Sequence, residues 1–153
     1  MSHCNLLLHL IISVQGRRQW IDKGIREELY AYIGGTIKEH KSQLLAAGGV
    51  EDHLHLLVNH HPSFAIANTM RLIKSNSSTW MQSRCLARKQ FRWQKGYGAF
   101  SVSGSDRERV VCYINNQVEH HRKRSFEDEY LRILNLCGID YDPRYVFDEA
   151  VVG

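Results

Sequence analysis

Asp52-His53-Leu54-His55-Leu56-Leu57-Val58 is the stretch on which the fold turns. Leu54, Leu56 and Val58 alternate with His53, His55 and Leu57 at a period of two, the spacing of a β-strand. Alternation puts both histidines on one face, roughly 6.6 Å apart at about 3.3 Å per residue. Two imidazoles so spaced on a stiff strand can reach one divalent cation, while the residues pointing the other way anchor the strand in a core. Two ligands make only half a metal site, and two half-buried histidines sharing a face account for the pair equally well.

The segments on either side place this strand in a fold. Upstream, Asn5 to Val14 is an apolar run read as a buried strand; it lacks a basic flank and a cleavage site and is too short to span a membrane. Asp22 can cap a helix whose Ile25, Leu29, Tyr32, Ile33 and Ile37 form an apolar stripe. Ser42 to Val50 is a second strand, weakened by Gly48 and Gly49. Downstream, Pro62-Ser63 opens a long helix with Ile66, Met70, Ile73 and Trp80 inward. Ala99 to Ser103, bounded by glycines, is a fourth strand. The order strand, helix, strand, strand, helix, strand is that of the split βαβ unit. It predicts an α+β, ferredoxin-like antiparallel sheet with helices on one face and further helices at the C-terminal end. The first and third strands are central in that topology, and the histidine face then lies on the uncovered side of the sheet or at the margin of a site.

At 153 residues the chain, residues 1–153, reads as one domain able to bury a core without staples. Cys4, Cys85, Cys112 and Cys137 show no C-x-x-C spacing and read as buried or free thiols of a reducing cytoplasm. The formal net charge of +4 conceals an asymmetry. Residues 1–52 carry six basic and six acidic residues, and residues 106–153 seven and ten. Residues 53–105 carry seven basic residues (Arg71, Lys74, Arg84, Arg88, Lys89, Arg92, Lys95) and no acid. A solvated face mixes signs, so a one-sign segment of this length points to a polyanionic partner. Phe91, Trp93 and Tyr97 are interleaved with it, and cations beside flat rings suit single-stranded nucleic acid. The candidate nucleic-acid contacts are Arg71, Lys74, Arg84, Arg88, Lys89, Arg92, Trp93 and Lys95; core packing is the competing account of the rings.

After Gly104, Ser105-Asp106-Arg107-Glu108 has the pattern of a capping box. Val110, Val111, Ile114 and Val118 then make a buried face, with Tyr113 and Gln117 four apart on one flank. A tyrosine hydroxyl is a nucleophile and a glutamine carbonyl oxygen a possible ligand for a hard metal. Ser125 to Asp128 caps a last helix with Phe126, Tyr130, Leu134 and Cys137 in register, ended by Gly138.

These motifs, in this order, carry a resemblance. The histidine strand, Trp93-Gln94-Lys95-Gly96-Tyr97 with Phe100-Ser101-Val102-Ser103, and Tyr113-Ile114-Asn115-Asn116-Gln117 with His120-His121 resemble the single-tyrosine HUH transposases of the smallest bacterial insertion sequences. The likeness runs from the first strand to Gly138-Ile139-Asp140-Tyr141-Asp142. It implies His53, His55 and Gln117 as ligands of a divalent metal and Tyr113 as the nucleophile. It also implies a homodimer that cleaves and rejoins single-stranded DNA near hairpin ends through a 5′-phosphotyrosine. Two imidazoles and an amide suit Mg2+ or Mn2+. Gly104 gives the tyrosine helix a pivot, and the resemblance favours that helix crossing to the partner subunit. His60 and His61 receive no role.

Three rivals compete. A His-x-His oxygenase site needs a nearby glutamate, and residues 56–61 offer only Asn59 and two histidines. A non-catalytic nucleic-acid-binding domain of the same fold accounts for the basic segment but leaves His53, His55, Tyr113 and Gln117 as coincidence. A host-adopted transposase relative would carry the same catalytic residues.

Overall fold

The computed structural model describes residues 1–84 and 86–147. Four strands, β1 (Leu7–Ser13), β2 (Gln43–Gly49), β3 (His53–Asn59) and β4 (Gly98–Val102), form one sheet in the order β2-β3-β1-β4. Every neighbouring pair is antiparallel. The central strands are the first and third, as the split βαβ order requires. Ile11 lies opposite His55 and Ser13 opposite His53, so the histidine strand is held by hydrogen bonds along both edges.

Helices α1 (Lys23–Glu39) and α2 (Ile66–Arg84) cover one face. Their Leu29, Ile33, Ile37, Met70 and Ile73 pack on Leu10, Ile12, Leu54, Leu56 and Val58, all 0–2% exposed. Trp93 and Phe91 belong to this same core. Asp22 occupies the N-cap of α1, but its side chain makes no cap hydrogen bond and pairs with Arg88 instead.

The opposite face is not open. Helices α3 (Arg107–Asn115), α4 (Gln117–His121) and α5 (Phe126–Leu136) cover it. Ile114 packs on Leu7 and Leu57, and Phe126 and Leu134 pack with Ile11 and Phe100. Of the two placements expected for the histidine face, the uncovered side of the sheet is corrected accordingly: His53 and His55 are both fully buried. Gly48 explains how α3 comes so close, because a Cβ there would lie 2.0 Å from the Ile114 carbonyl oxygen.

Two local expectations also change. The Ser105–Glu108 capping box does not form. A 3-10 turn spans Gly104–Asp106, Asp106 is the N-cap of α3, and Ser105 Oγ bonds Ser103 Oγ. The helix predicted to continue through Val118 stops at Asn115, and Asn116, at φ −103° and ψ 23°, turns the chain into α4. That break leaves Val118 exposed while Gln117 is buried. The cap at Ser125 forms as expected, its Oγ accepting from Asp128 N at 3.2 Å. At the other end Gly138, at φ +67°, closes α5 with Gly138 N to Asn135 O and Ile139 N to Leu134 O, the paired bonds of a Schellman motif. Cys137, expected on the inner face of α5, is exposed; Cys4 and Cys112 are also free and exposed. Cys85 lies outside the described residues. No helix among them is long and apolar enough to cross a membrane.

Candidate active site

Strand β3 aims His53 and His55 at the helices that cover it, and each ring is fixed from behind through Nδ1. Asp52 Oδ1 accepts from His53 Nδ1 at 2.7 Å, and His9 Nε2, on β1, lies 2.7 Å from His55 Nδ1. Both Nε2 atoms therefore face one place, where Glu129 of α5 meets them. Its Oε1 is 2.8 Å from His55 Nε2, 3.1 Å from His121 Nε2 and 3.4 Å from His53 Nε2. Its Oε2 accepts a short hydrogen bond from the Tyr113 hydroxyl. Gln117 Oε1 completes the cluster, 3.3 Å from His53 Nε2 and 3.0 Å from His121 Nε2.

A buried carboxylate is costly unless its charge is matched. Burial would raise the Glu129 pKa, but hydrogen bonds from His121, His53 and His55 hold it far below the usual carboxylate range. Burial likewise works against a proton on His53, yet its bonds to Asp52 and Glu129 prevail and raise it. His55 goes the other way: complete burial lowers it to about 4 despite Glu129. His9 is lowered to about 3, by burial and then by the charge of His55. Burial, the Glu129 bond and the Glu129 charge all push the Tyr113 phenol above its ordinary value.

His53, His55, His121 and Glu129 offer ligand atoms within 4.8 Å of one another, a set that fits a divalent cation. The fit rests on the backing bonds as well. With each Nε2 lone pair turned to a cation, the Nδ1 protons have ready acceptors in Asp52 and His9, the outer contacts that orient ligating histidines. Gln117 Oε1 lies beside the same cluster, 3.3 Å from His53 Nε2.

The structure thus brings His53, His55, Tyr113 and Gln117 together within one chain. Tyr113 reaches its own chain's cluster, an arrangement that needs no crossing helix. The predicted DNA-contact residues are not gathered in the same way. Trp93, offered as a stacking ring, is 7% exposed with its indole N–H donating to Ser77 Oγ at 2.8 Å. It sits in the core because it follows buried Phe91 on a segment bridged to β1 through Val14. Lys74 donates to the carbonyls of Gln94 and Gly96 at 2.6 and 2.9 Å and so braces a loop. Arg88 pairs with Asp22, and Arg84 lies 3.2 Å from Glu28 while its guanidinium covers Trp80. Asp22 and Glu28 thereby neutralise part of the segment that contains no acid. Arg71, Lys89, Arg92 and Lys95 are exposed. His60, which received no role, bonds Thr69 Oγ1 at 2.7 Å.

Glu129, His121 and His9 are the site members that sequence reasoning missed as participants. Two signals were legible: a histidine inside an apolar strand, and an acid three residues after Phe126 on the inward stripe of α5.

Comparison with known proteins follows the same lines. The family model for IS200-like transposases matches residues 2–117. Among solved structures, the chain is similar to a protein of Deinococcus radiodurans R1 described as a transposase. That likeness has 23% identity and a TM-score of 0.60, covering 76% of this chain and 93% of that one. It is also similar to a REP-associated tyrosine transposase bound to a REP hairpin, at 16% identity and a TM-score of 0.56, over 74% of this chain and 70% of that one. At these identities the structural likeness speaks for the fold. No curated protein sequence matches the chain. The family match ends at Gln117, so His121 and Glu129 lie beyond it.

Proposed function

The chain belongs to the IS200-like transposase family, and from that premise we propose that it cleaves and rejoins single-stranded DNA near hairpin ends through a 5′-phosphotyrosine on Tyr113. One observation carries the reading: the Tyr113 hydroxyl and the Nε2 atoms of His53 and His55 meet on the two oxygens of a single buried carboxylate. A nucleophile and a ligand pair are coupled through one side chain. A domain that only binds nucleic acid has no use for that arrangement.

A phosphodiester repels nucleophiles by its own charge, and a phenol of ordinary pKa near 10 is mostly protonated at neutral pH. His53 and His55 would hold the cation, Mg2+ or Mn2+, with Gln117 as the amide ligand and Glu129 and His121 within reach of the same ion. When bound, it would polarise the phosphate and stabilise charge on the leaving 3′-oxygen. Glu129 Oε2 holds the phenol proton and fixes the direction of the Tyr113 oxygen. That oxygen attacks phosphorus, the P–O3′ bond breaks, and the 3′-oxygen leaves with the bonding pair. In net terms the phenol proton ends on the 3′-hydroxyl. The ester energy is retained in the phosphotyrosine, so another 3′-hydroxyl can attack in reverse, restore the phenol and join strands without ATP. Residues 1–153 act in this reading as one catalytic domain in the cytoplasm.

The test is incubation with single-stranded hairpin DNA and Mg2+ or Mn2+, followed by denaturing electrophoresis. The native chain gives a band shifted by covalent DNA. Tyr113→Phe gives none while still binding the hairpin, because phosphate contacts supply most of the affinity. A covalent band that survives in Tyr113→Phe assigns the nucleophile elsewhere.

A further inference from the structure

Beside Tyr113 lies a cleft of about 610 Å³ between α3, α4 and α5. His53 and His55 are fully buried, and Gln117 and Glu129 are 1% and 5% exposed. Tyr113, half-buried, lines both the cluster and the cleft. A phosphate that meets the Tyr113 oxygen from outside therefore enters through this cleft.

The lining has two parts. Val110, Ile133 and Leu136 present hydrocarbon, and Leu136 is 76% exposed, a large apolar side chain that the core does not use. Arg109, Lys123, Arg124 and Arg132 supply cations. Of the acids close to them, Glu119 pairs at 3.3 Å with Arg122, which is outside the lining, and Asp106 pairs with Arg109 itself at 3.1 Å. Lys123, Arg124 and Arg132 have no acidic side chain paired with them among the described residues.

We infer that this cleft is a nucleotide subsite, which receives one unpaired base beside the scissile phosphate. The inference rests on the single-strand reading above and adds where the strand lies. Apolar side chains take the face of an unstacked base, as they do in pockets that hold a base turned out of the stack, and the cations take the phosphates that flank it. The volume lies within the ordinary range for small-ligand pockets, suits a nucleotide, and is far too small for a duplex.

The test compares binding of a fluorescein-labelled 20-nucleotide dT strand with that of a 20-nucleotide abasic strand of the same backbone charge, by anisotropy in EDTA. EDTA keeps cleavage out of the measurement. The native chain binds dT about tenfold more tightly than the abasic strand, the scale of one base on a packing surface. Leu136→Gln reduces that preference at least threefold by weakening dT binding, with abasic binding unchanged. Arg132→Gln weakens both strands alike and keeps the ratio. Because Leu136 is exposed, its replacement leaves the fold intact, and an unchanged melting temperature verifies this. A native ratio near one, or a ratio that Leu136→Gln leaves unchanged, overturns the subsite. Neither result depends on covalent chemistry, so the subsite and the phosphotyrosine reading fail independently.

Discussion

At the scale of single residues, the site is organised by Glu129. Its carboxylate touches Tyr113, His53, His55 and His121, although 5% of it is exposed. Removing the charge while keeping the shape separates its electrostatic role from packing. Glu129→Gln should retain the fold, since the amide keeps the side chain's volume and one acceptor oxygen at this position. It should lower Mn2+ affinity at least tenfold by titration calorimetry, because an anionic ligand atom becomes neutral. Formation of the covalent DNA band should fall at least as far. Manganese affinity equal to native would remove Glu129 from the ligand set. His121 shares that carboxylate and contacts Gln117 as well, so its loss should be felt by two neighbours at once.

At the scale of elements, the site depends on how closely α3 can lie on the sheet. Gly48 permits that approach, because an added Cβ would lie 2.0 Å from the Ile114 carbonyl oxygen. Gly48→Ala must push α3, and Tyr113 with it, away from β2. It should destabilise the chain by about 1–3 kcal/mol, the range for overpacking a filled contact, and reduce covalent band formation as Tyr113 leaves Glu129. Gly35→Ala is the control. Gly35 is exposed in α1 with no atom within 4 Å of an added Cβ, so alanine should stabilise by about 0.5–1 kcal/mol through helix propensity alone. Thermal denaturation of the two variants should move in opposite directions. Equal melting temperatures would show that α3 is not held against β2 in this way. The break at Asn116 matters at this scale too, since it turns Gln117 inward while leaving Val118 in solvent.

At the scale of the whole molecule, the question is whether one chain suffices. Tyr113 bonds Glu129 of its own chain, and Glu129 bonds that chain's histidines. Co-expressed His53→Ala and Tyr113→Phe chains discriminate the two possibilities. With the tyrosine acting in its own chain, every site lacks one part and no covalent band forms. If each site took its tyrosine from a two-fold partner, half of the dimers would be mixed and one of their two sites would work, giving about a quarter of native activity. The structure leads us to expect none. A quarter from verified mixed dimers would require α3 to cross between subunits, the arrangement that the sequence reading favoured.

The sequence by itself determined the sheet. Period-two alternation in residues 53–58, the apolar run of β1 and the order of strands and helices are local patterns, and each is enforced by burying one face of an element. The sequence also singled out four residues that the structure places close together. His53 and His55 share a face through strand pleating, whereas Tyr113 and Gln117, read from the sequence as neighbours on one helix, meet across the break at Asn116. Only the tertiary structure decided what joins the two pairs. Glu129 stands 74 residues from His55, and His9 meets the same ring from 46 residues away. No periodicity links such positions, because their contact is made when α5 and β1 pack against β3. The same reason explains Trp93 and Lys74, whose composition resembled a nucleic-acid surface. Burial against Ser77 and hydrogen bonds to the Gln94 and Gly96 carbonyls are decided by which faces meet, and a residue's type does not specify its neighbours.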